Sequence, residues 1–175
     1  SIPESIESLI NLRILGLDGN AGMAGNIEVL KNLSSLEALY LEKNSLTGNL
    51  HNAHWPNLVE LDVSDNLLDE SFPVDFFNHP KLRVLDIHGN LMMGTIPFDI
   101  FENANLEYLA AYNSGFSGTI PDRLGFLTNL KHVDISFNAL TGTIPDTMTR
   151  LTNLHYLATS GNNFDAQPLL DWSRM

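Results

Sequence analysis

His132, Asp134 and Ser136 are the three residue types of a hydrolase triad, spaced two apart along one short stretch of chain. On an extended strand, alternate residues lie ~6–7 Å apart, beyond the hydrogen-bond reach a proton relay needs, so this set predicts no acyl transfer. Asp62, Asp86 and His88 have the side chains of a divalent-cation site. Two carboxylates and one imidazole without backbone ligands fall short of a calcium or zinc sphere. His51 and His54 fall in an irregular turn and read as surface residues. No G-x-S-x-G, H-E-x-x-H, phosphate-loop or dinucleotide fingerprint is present, and with no cysteine there is no thiol nucleophile, thiolate site or disulfide. The sequence therefore predicts no enzyme, no cofactor and no metal. What remains is the chemistry of contact: Tyr108, Tyr112, Tyr156 and Phe137 beside His132, and a second group rich in carboxylates.

The elements that place these side chains follow from a skewed composition. Of 175 residues, 29 are Leu and 19 are Asn, which signals a repeat. One frame, L-x-x-L-x-L-x-x-N, opens at Leu12, Leu36, Leu58, Leu82, Leu106, Leu130 and Leu154. Its apolar positions turn inward around a short strand, and its Asn (Asn20, Asn44, Asn66, Asn90, Asn138, Asn162) satisfies backbone groups where the chain leaves that strand. A second signature follows, clearest as Leu140-Thr141-Gly142-Thr143-Ile144-Pro145, in which Gly relieves a tight turn and Pro fixes φ at the entry to a short helical segment. One coil cannot bury its own leucines; stacked coils can. The predicted fold is a single α/β solenoid over 1–175 of about seven repeats, with strands near 12–18, 36–42, 58–64, 82–88, 106–112, 130–136 and 154–160.

These strings resemble the leucine-rich-repeat family, in its plant-specific subtype L-x-x-L-x-L-x-x-N-x-L-x-G-x-I-P. Leu61-Asp62-Val63-Ser64-Asp65-Asn66 and Val133-Asp134-Ile135-Ser136-Phe137-Asn138 carry that subtype's Asp and Ser as well. The resemblance covers essentially the whole chain. It implies a right-handed superhelix with a concave parallel β-sheet and convex 3₁₀ or short helical segments. It also implies a recognition module like the ectodomains of receptor-like kinases and receptor-like proteins, or like secreted inhibitors of cell-wall enzymes.

Departures from the frame carry their own expectations. Gly48 to Pro56 lacks the Ile-Pro step, so Trp55 is expected to plug a shortened convex turn. In the fifth unit Ala111 replaces Leu and Ser114 replaces Asn, which should weaken the asparagine ladder. Thr159 replaces an apolar residue in the seventh, and the first inserts one residue near Gly22. The chain opens in mid-repeat at Ser1-Ile2-Pro3, and the run Pro168 to Met175 breaks frame as a partial cap or a further unit, so a fragment of a longer protein is expected.

Parallel stacking places equivalent positions of successive coils ~4.8 Å apart, so columns of outward side chains can be written down. The central column is Gly16, Tyr40, Asp62, Asp86, Ala110, Asp134, Ala158; beside it runs Ile14, Ala38, Glu60, Val84, Tyr108, His132, Tyr156. On the other side lie Asp18, Glu42, Ser64, His88, Tyr112, Ser136, Ser160, and then Gly19, Lys43, Asp65, Gly89, Asn113, Phe137, Gly161. The first four units are acidic and the last three aromatic. The expected binding surface is Tyr40, Glu60, Asp62, Asp86, His88, Tyr108, Tyr112, His132, Asp134, Phe137 and Tyr156. Its partner is a protein, peptide or glycan, with a basic group met by the acidic zone. The competing expectation is that Asp62, Ser64, Asp134 and Ser136 are subtype framework, and that the tyrosines support one another across strands.

A formal charge of −12 with no basic stripe argues against nucleic acid, and the apolar runs are far too short to span a membrane. The sequon Asn32-Leu33-Ser34 is a glycosylation candidate and, with the resemblance, places the chain outside the cell or at its surface. The alternative is a cytoplasmic scaffold in which the array serves as spacer and assembly surface, a reading favoured by the absence of cysteine.

Overall fold

The three-residue heart of each repeat, one apolar residue between two outward ones, is short enough to pair with the next coil before the chain must turn. In the computed structural model, which describes residues 1–69, 71, 79–96 and 104–166, seven such strands form one parallel sheet. They are Ile14–Gly16, Ala38–Tyr40, Glu60–Asp62, Val84–Asp86, Tyr108–Ala110, His132–Asp134 and Tyr156–Ala158, in chain order across the sheet. The register is the one the frame demands: Tyr40 faces Asp62, Asp62 faces Asp86, and His132 lies between Tyr108 and Tyr156. The central residues of the five inner strands, Leu39, Leu61, Leu85, Leu109 and Val133, are all buried, and with the frame's other leucines they make one continuous core. Pro97 and the run Pro168 to Met175 lie outside the described residues.

The convex side carries 3₁₀ segments at Glu4–Ser8, Ile27–Leu30, Asp122–Phe126 and Asp146–Arg150. Pro3, Pro121 and Pro145 cap three of them with φ of −76°, −69° and −64°, the pre-set angle that the Ile-Pro step supplies. Where that step is missing, Trp55 turns fully inward. Its indole N–H donates to Leu30 O at 2.9 Å, and its ring lies 6.2 Å from that of buried His79.

Two smaller parallel sheets were not anticipated from the sequence. Ala24–Asn26 pairs with Ser45–Thr47, and Phe116–Thr119 lies between Gly94–Thr95 and Ala139–Thr141; a single bridge, Ser71 to Met93, stands at the coil between them. They run along the flank, built from the strip after the Asn. Here the hydroxyl before each Gly donates to the Gly carbonyl one coil earlier: Thr47 to Gly25, Ser117 to Gly94, Thr141 to Gly118. Gly118 and Gly142 have φ of +76° and +71°, and a Cβ there would sit 2.8 and 2.9 Å from the methyls of Thr95 and Thr119. Both backbone conformation and close approach require glycine at these two positions.

The asparagine ladder is present, with a repeating bond set. Asn66 Nδ2 donates to Leu41 O, Val63 O and Ser64 O while its Oδ1 accepts from Leu46 N; Asn90 and Asn138 repeat the set one and three coils on. Ser114 keeps part of it, its Oγ shared between Ile87 O at 3.3 Å and Tyr112 O at 3.0 Å, without the amide oxygen that accepts at the other rungs. At Asn44, where the first coil carries its inserted residue, the buried Oδ1 has no hydrogen-bond partner.

Candidate functional site

The outward columns are where the frame puts them, and the side chains on them are already engaged with one another. On the last three strands His132 lies between two tyrosine rings. Its centroid is 4.3 Å from that of Tyr108 and 4.3 Å from that of Tyr156, with interplanar angles of 13° and 6°. One column over, His88 stacks on Tyr112 at 4.0 Å and 12°. Parallel strands one rung apart hold planar rings at close to stacking distance, so the sheet pre-orders the aromatic zone. One face of each tyrosine and both faces of His132 are spent inside these stacks. Tyr156, which ends the column, is 47% exposed.

The carboxylates are less available than an open surface implies. Asp62 Oδ1 accepts from Ser64 N at 3.0 Å and Ser64 Oγ at 2.6 Å, and Asp134 repeats this with Ser136 at the same two distances. This Asp-x-Ser clasp closes the end of a strand, so framework is part of the role of these four residues. Because Ser136 donates directly to Asp134, no serine–imidazole relay is assembled with His132. Asp86 is only 8% exposed, which narrows its expected place on the binding surface; its Oδ1 meets His88 Nδ1 at 2.6 Å, and Asp65 Oδ2 lies 3.6 Å from His88 Nε2. Asp62 and Asp86, neighbours across one rung, thus each have a hydrogen-bond partner of their own. Among the described residues no group of three or more His, Asp or Glu is placed to hold a metal ion. Tyr40 donates to Glu60, which pushes its phenol up to about 12. Burial raises Glu42, one of whose carboxylate oxygens has no partner.

The two histidines are tuned in opposite directions. Burial lowers His132 between its tyrosines. Burial also acts to lower His88, but the Asp86 hydrogen bond and the charges of Asp86, Asp65 and Asp62 outweigh it, and its pKa is raised. A histidine whose folded pKa exceeds its unfolded value gives stability that is present below the ordinary 6.5 and lost as pH rises through the folded value. His132 works the other way, costing stability as pH falls through 6.5. Replacing His88 by Gln should therefore destabilise the fold at about pH 5.5 and much less at about pH 8.5. Urea titrations of both proteins at the two values test this; equal penalties would discard the Asp86–His88 pair as the source.

Every residue of the outermost column has a left-handed backbone. Gly19, Gly89 and Gly161 adopt it freely, and Lys43, Asp65, Asn113 and Phe137 adopt it with φ of 56°, 50°, 50° and 53°. Asn and Asp tolerate this region; a bulky aromatic does so at a cost. Phe137 is nevertheless 63% exposed, its ring lying over Gly161, where a Cβ would sit 2.7 Å from Phe137 Cδ1. Phe137→Asn, which copies Asn113 one coil earlier, is expected to raise stability by about 1 kcal/mol. Thermal unfolding reads this directly, and a lowered midpoint would show the ring to be structural.

The family profile described as Leucine Rich Repeat matches residues 57–79 and 129–151. Receptor-like protein 35 of Arabidopsis thaliana is 34% identical over 76 residues, which is 43% of this chain and 8% of that protein. The chain carries leucine-rich repeats similar to those of a plant receptor-like protein. Its leucine-rich-repeat array superposes on the crystal structure of a TDR receptor with a TM-score of 0.85 at 32% identity, over 94% of this chain and 29% of that one. It also matches the plant peptide hormone receptor RGFR1 in complex with RGF2, with a TM-score of 0.74 at 27% identity, over 93% and 34%. The chain thus spans about a third or less of each of these proteins.

One feature of the array escaped sequence reasoning although its signal was present. Arg13, Glu37, Arg83, Glu107 and Lys131 share one frame position, and they pair along the sheet edge: Arg13 with Glu37 at 2.7 Å, and Glu107 with Arg83 at 2.7 Å and Lys131 at 2.8 Å. Opposite charges 24 residues apart at one frame position are the pattern to look for. Asn32 is exposed, just after the Ile27–Leu30 segment, and no helix among the described residues is long and apolar enough to cross a membrane.

Proposed function

We propose that this array is a peptide-recognition segment of the extracellular part of a plant receptor-like protein. The observation that carries the reading is the pre-stacked platform of Tyr108, His132 and Tyr156, beside Tyr112 on His88, on a sheet that needs no rearrangement to present it. Rings already ordered by their neighbours lose little entropy on binding, which is the property of a binding anchor. With one face of each tyrosine occupied, the platform offers phenolic edges that hydrogen-bond a peptide backbone. The excess of carboxylates around Glu42, Glu60 and Asp65 steers a basic residue of that peptide. The match to a peptide hormone receptor supports the same class of ligand, and exposed Asn32 suits a glycan acceptor in that compartment.

Selection from a displayed library of random peptides, about 12 residues long, on the wild-type chain tests this. Replacing Tyr108, Tyr112 and Tyr156 together by Ala should weaken the selected peptides about 100-fold, at about 1 kcal/mol or more per anchor. Circular dichroism should stay unchanged, because these rings lie outside the core. Unaltered affinity would end the platform's role.

A further inference from the structure

The flank beside the platform holds an open notch of ≈ 540 Å³ that the concave reading does not use. Asp69, Leu91, Met93, Asn113, Ser114 and Gly115 line it. It arises where the fifth coil departs from the frame. The position after the ladder residue is Leu67 in the third coil and Leu91 in the fourth but Gly115 in the fifth, and Ser114 replaces the larger Asn beside it. Gly115 cannot be exchanged for a bulkier residue without strain: its φ is +79°, and a Cβ would lie 2.8 Å from Met92 O. The walls are left apolar and open, with Leu91 57% and Met93 63% exposed and Leu67 at 44% nearby. Neighbouring large apolar side chains held in water around a depression mark an interaction site more often than chance exposure.

Two observations say what fills it. The charged residue of the lining is Asp69, no Lys or Arg shares the lining with it, and the chain as a whole carries −12. Asn113 lines the notch and follows Tyr112, so the notch continues the concave platform over the sheet's C-terminal edge. We propose that the notch takes an aliphatic side chain of a peptide whose adjacent residue is lysine or arginine, the basic group pairing with Asp69. This rests on the peptide reading and adds a specificity-determining pocket to it: Leu91 and Met93 select the aliphatic residue, and Asp69 selects its neighbour.

The probe is the blocked tetrapeptide acetyl-Gly-Lys-Leu-Gly-amide, titrated into the ¹⁵N-labelled 175-residue chain and followed by amide chemical shifts. Saturable shifts at Leu91, Met93, Asn113 and Gly115 with a Kd on the order of 1 mM are expected. Exchanging the peptide's Leu for Ser should weaken them about tenfold, the worth of one buried aliphatic side chain. Exchanging its Lys for Glu, or Asp69→Asn in the protein, should weaken them severalfold, with the Lys-dependent part fading in salt. The double variant Leu91→Ser, Met93→Ser alters two exposed side chains, so its spectrum should stay dispersed while the shifts vanish. Equal shifts from the Leu and Ser peptides, or shifts that survive in the double variant, overturn the notch. The Tyr108, Tyr112 and Tyr156 triple variant separates the two readings: it should keep the tetrapeptide shifts while losing the longer peptides. A silent notch beside intact binding of those peptides sinks only the notch.

Discussion

Trp55→Ala should be the most destabilising single replacement in the array, costing about 3–5 kcal/mol and lowering the unfolding midpoint by about 10 °C or more. The indole is 1% exposed and fills the turn left by the missing Ile-Pro step. It also ties coils together, bonding Leu30 O on one side and packing near His79 on the other. In a solenoid each coil is held only by its neighbours, so a cavity here weakens the coupling of the first coils to the rest. Trp55→Phe separates the two contributions. It keeps most of the ring but leaves Leu30 O without this donor, and should cost about 1–2 kcal/mol. A Trp55→Ala penalty under about 1 kcal/mol in urea unfolding would mean that the turn collapses to fill the space.

Asn66→Ala should follow closely, at about 3–4 kcal/mol. The side chain is 4% exposed and serves four backbone groups at once, Leu41 O, Val63 O, Ser64 O and Leu46 N. Alanine removes all four partners where water has little access, and each stranded group carries a desolvation penalty. Ser114 shows what a partial substitute achieves, since its hydroxyl still reaches two carbonyls. Asn66→Ser should accordingly recover part of the loss. Asn162, half-buried on the last described coil, should tolerate Ala better than Asn66 does. Equal penalties at the two rungs in chemical denaturation would contradict burial as the source of the cost.

Much of the concave surface was readable before any coordinates because stacking converts one sequence interval into one spatial step. That His132 sits between Tyr108 and Tyr156 follows from their common frame position alone. The same logic placed Trp55 inside, since a coil without its Ile must fill the gap with something else, and it foresaw the weakened rung at Ser114. It was less informative where neighbouring coils differ. Asp86 looked like an exposed carboxylate until His88 proved to cover it, a matter of side-chain direction that spacing does not encode. The flanking sheets were not legible because they lean on hydroxyl-to-carbonyl bonds between coils, which residue spacing does not encode.

The sequence by itself determined the period, the inward leucines, the asparagine rungs and the membership of each outward column. All of these follow from local pattern, because every contact they involve is between a residue and its counterpart one coil away. Only the tertiary structure decided that the rings stack face to face, that Phe137 holds a left-handed backbone while exposed, and that Gly115 and Ser114 open a notch under Leu91 and Met93. Those depend on rotamers and on the mismatch between adjacent coils. A repeat pattern describes what coils share, and a binding surface is made from what they do not.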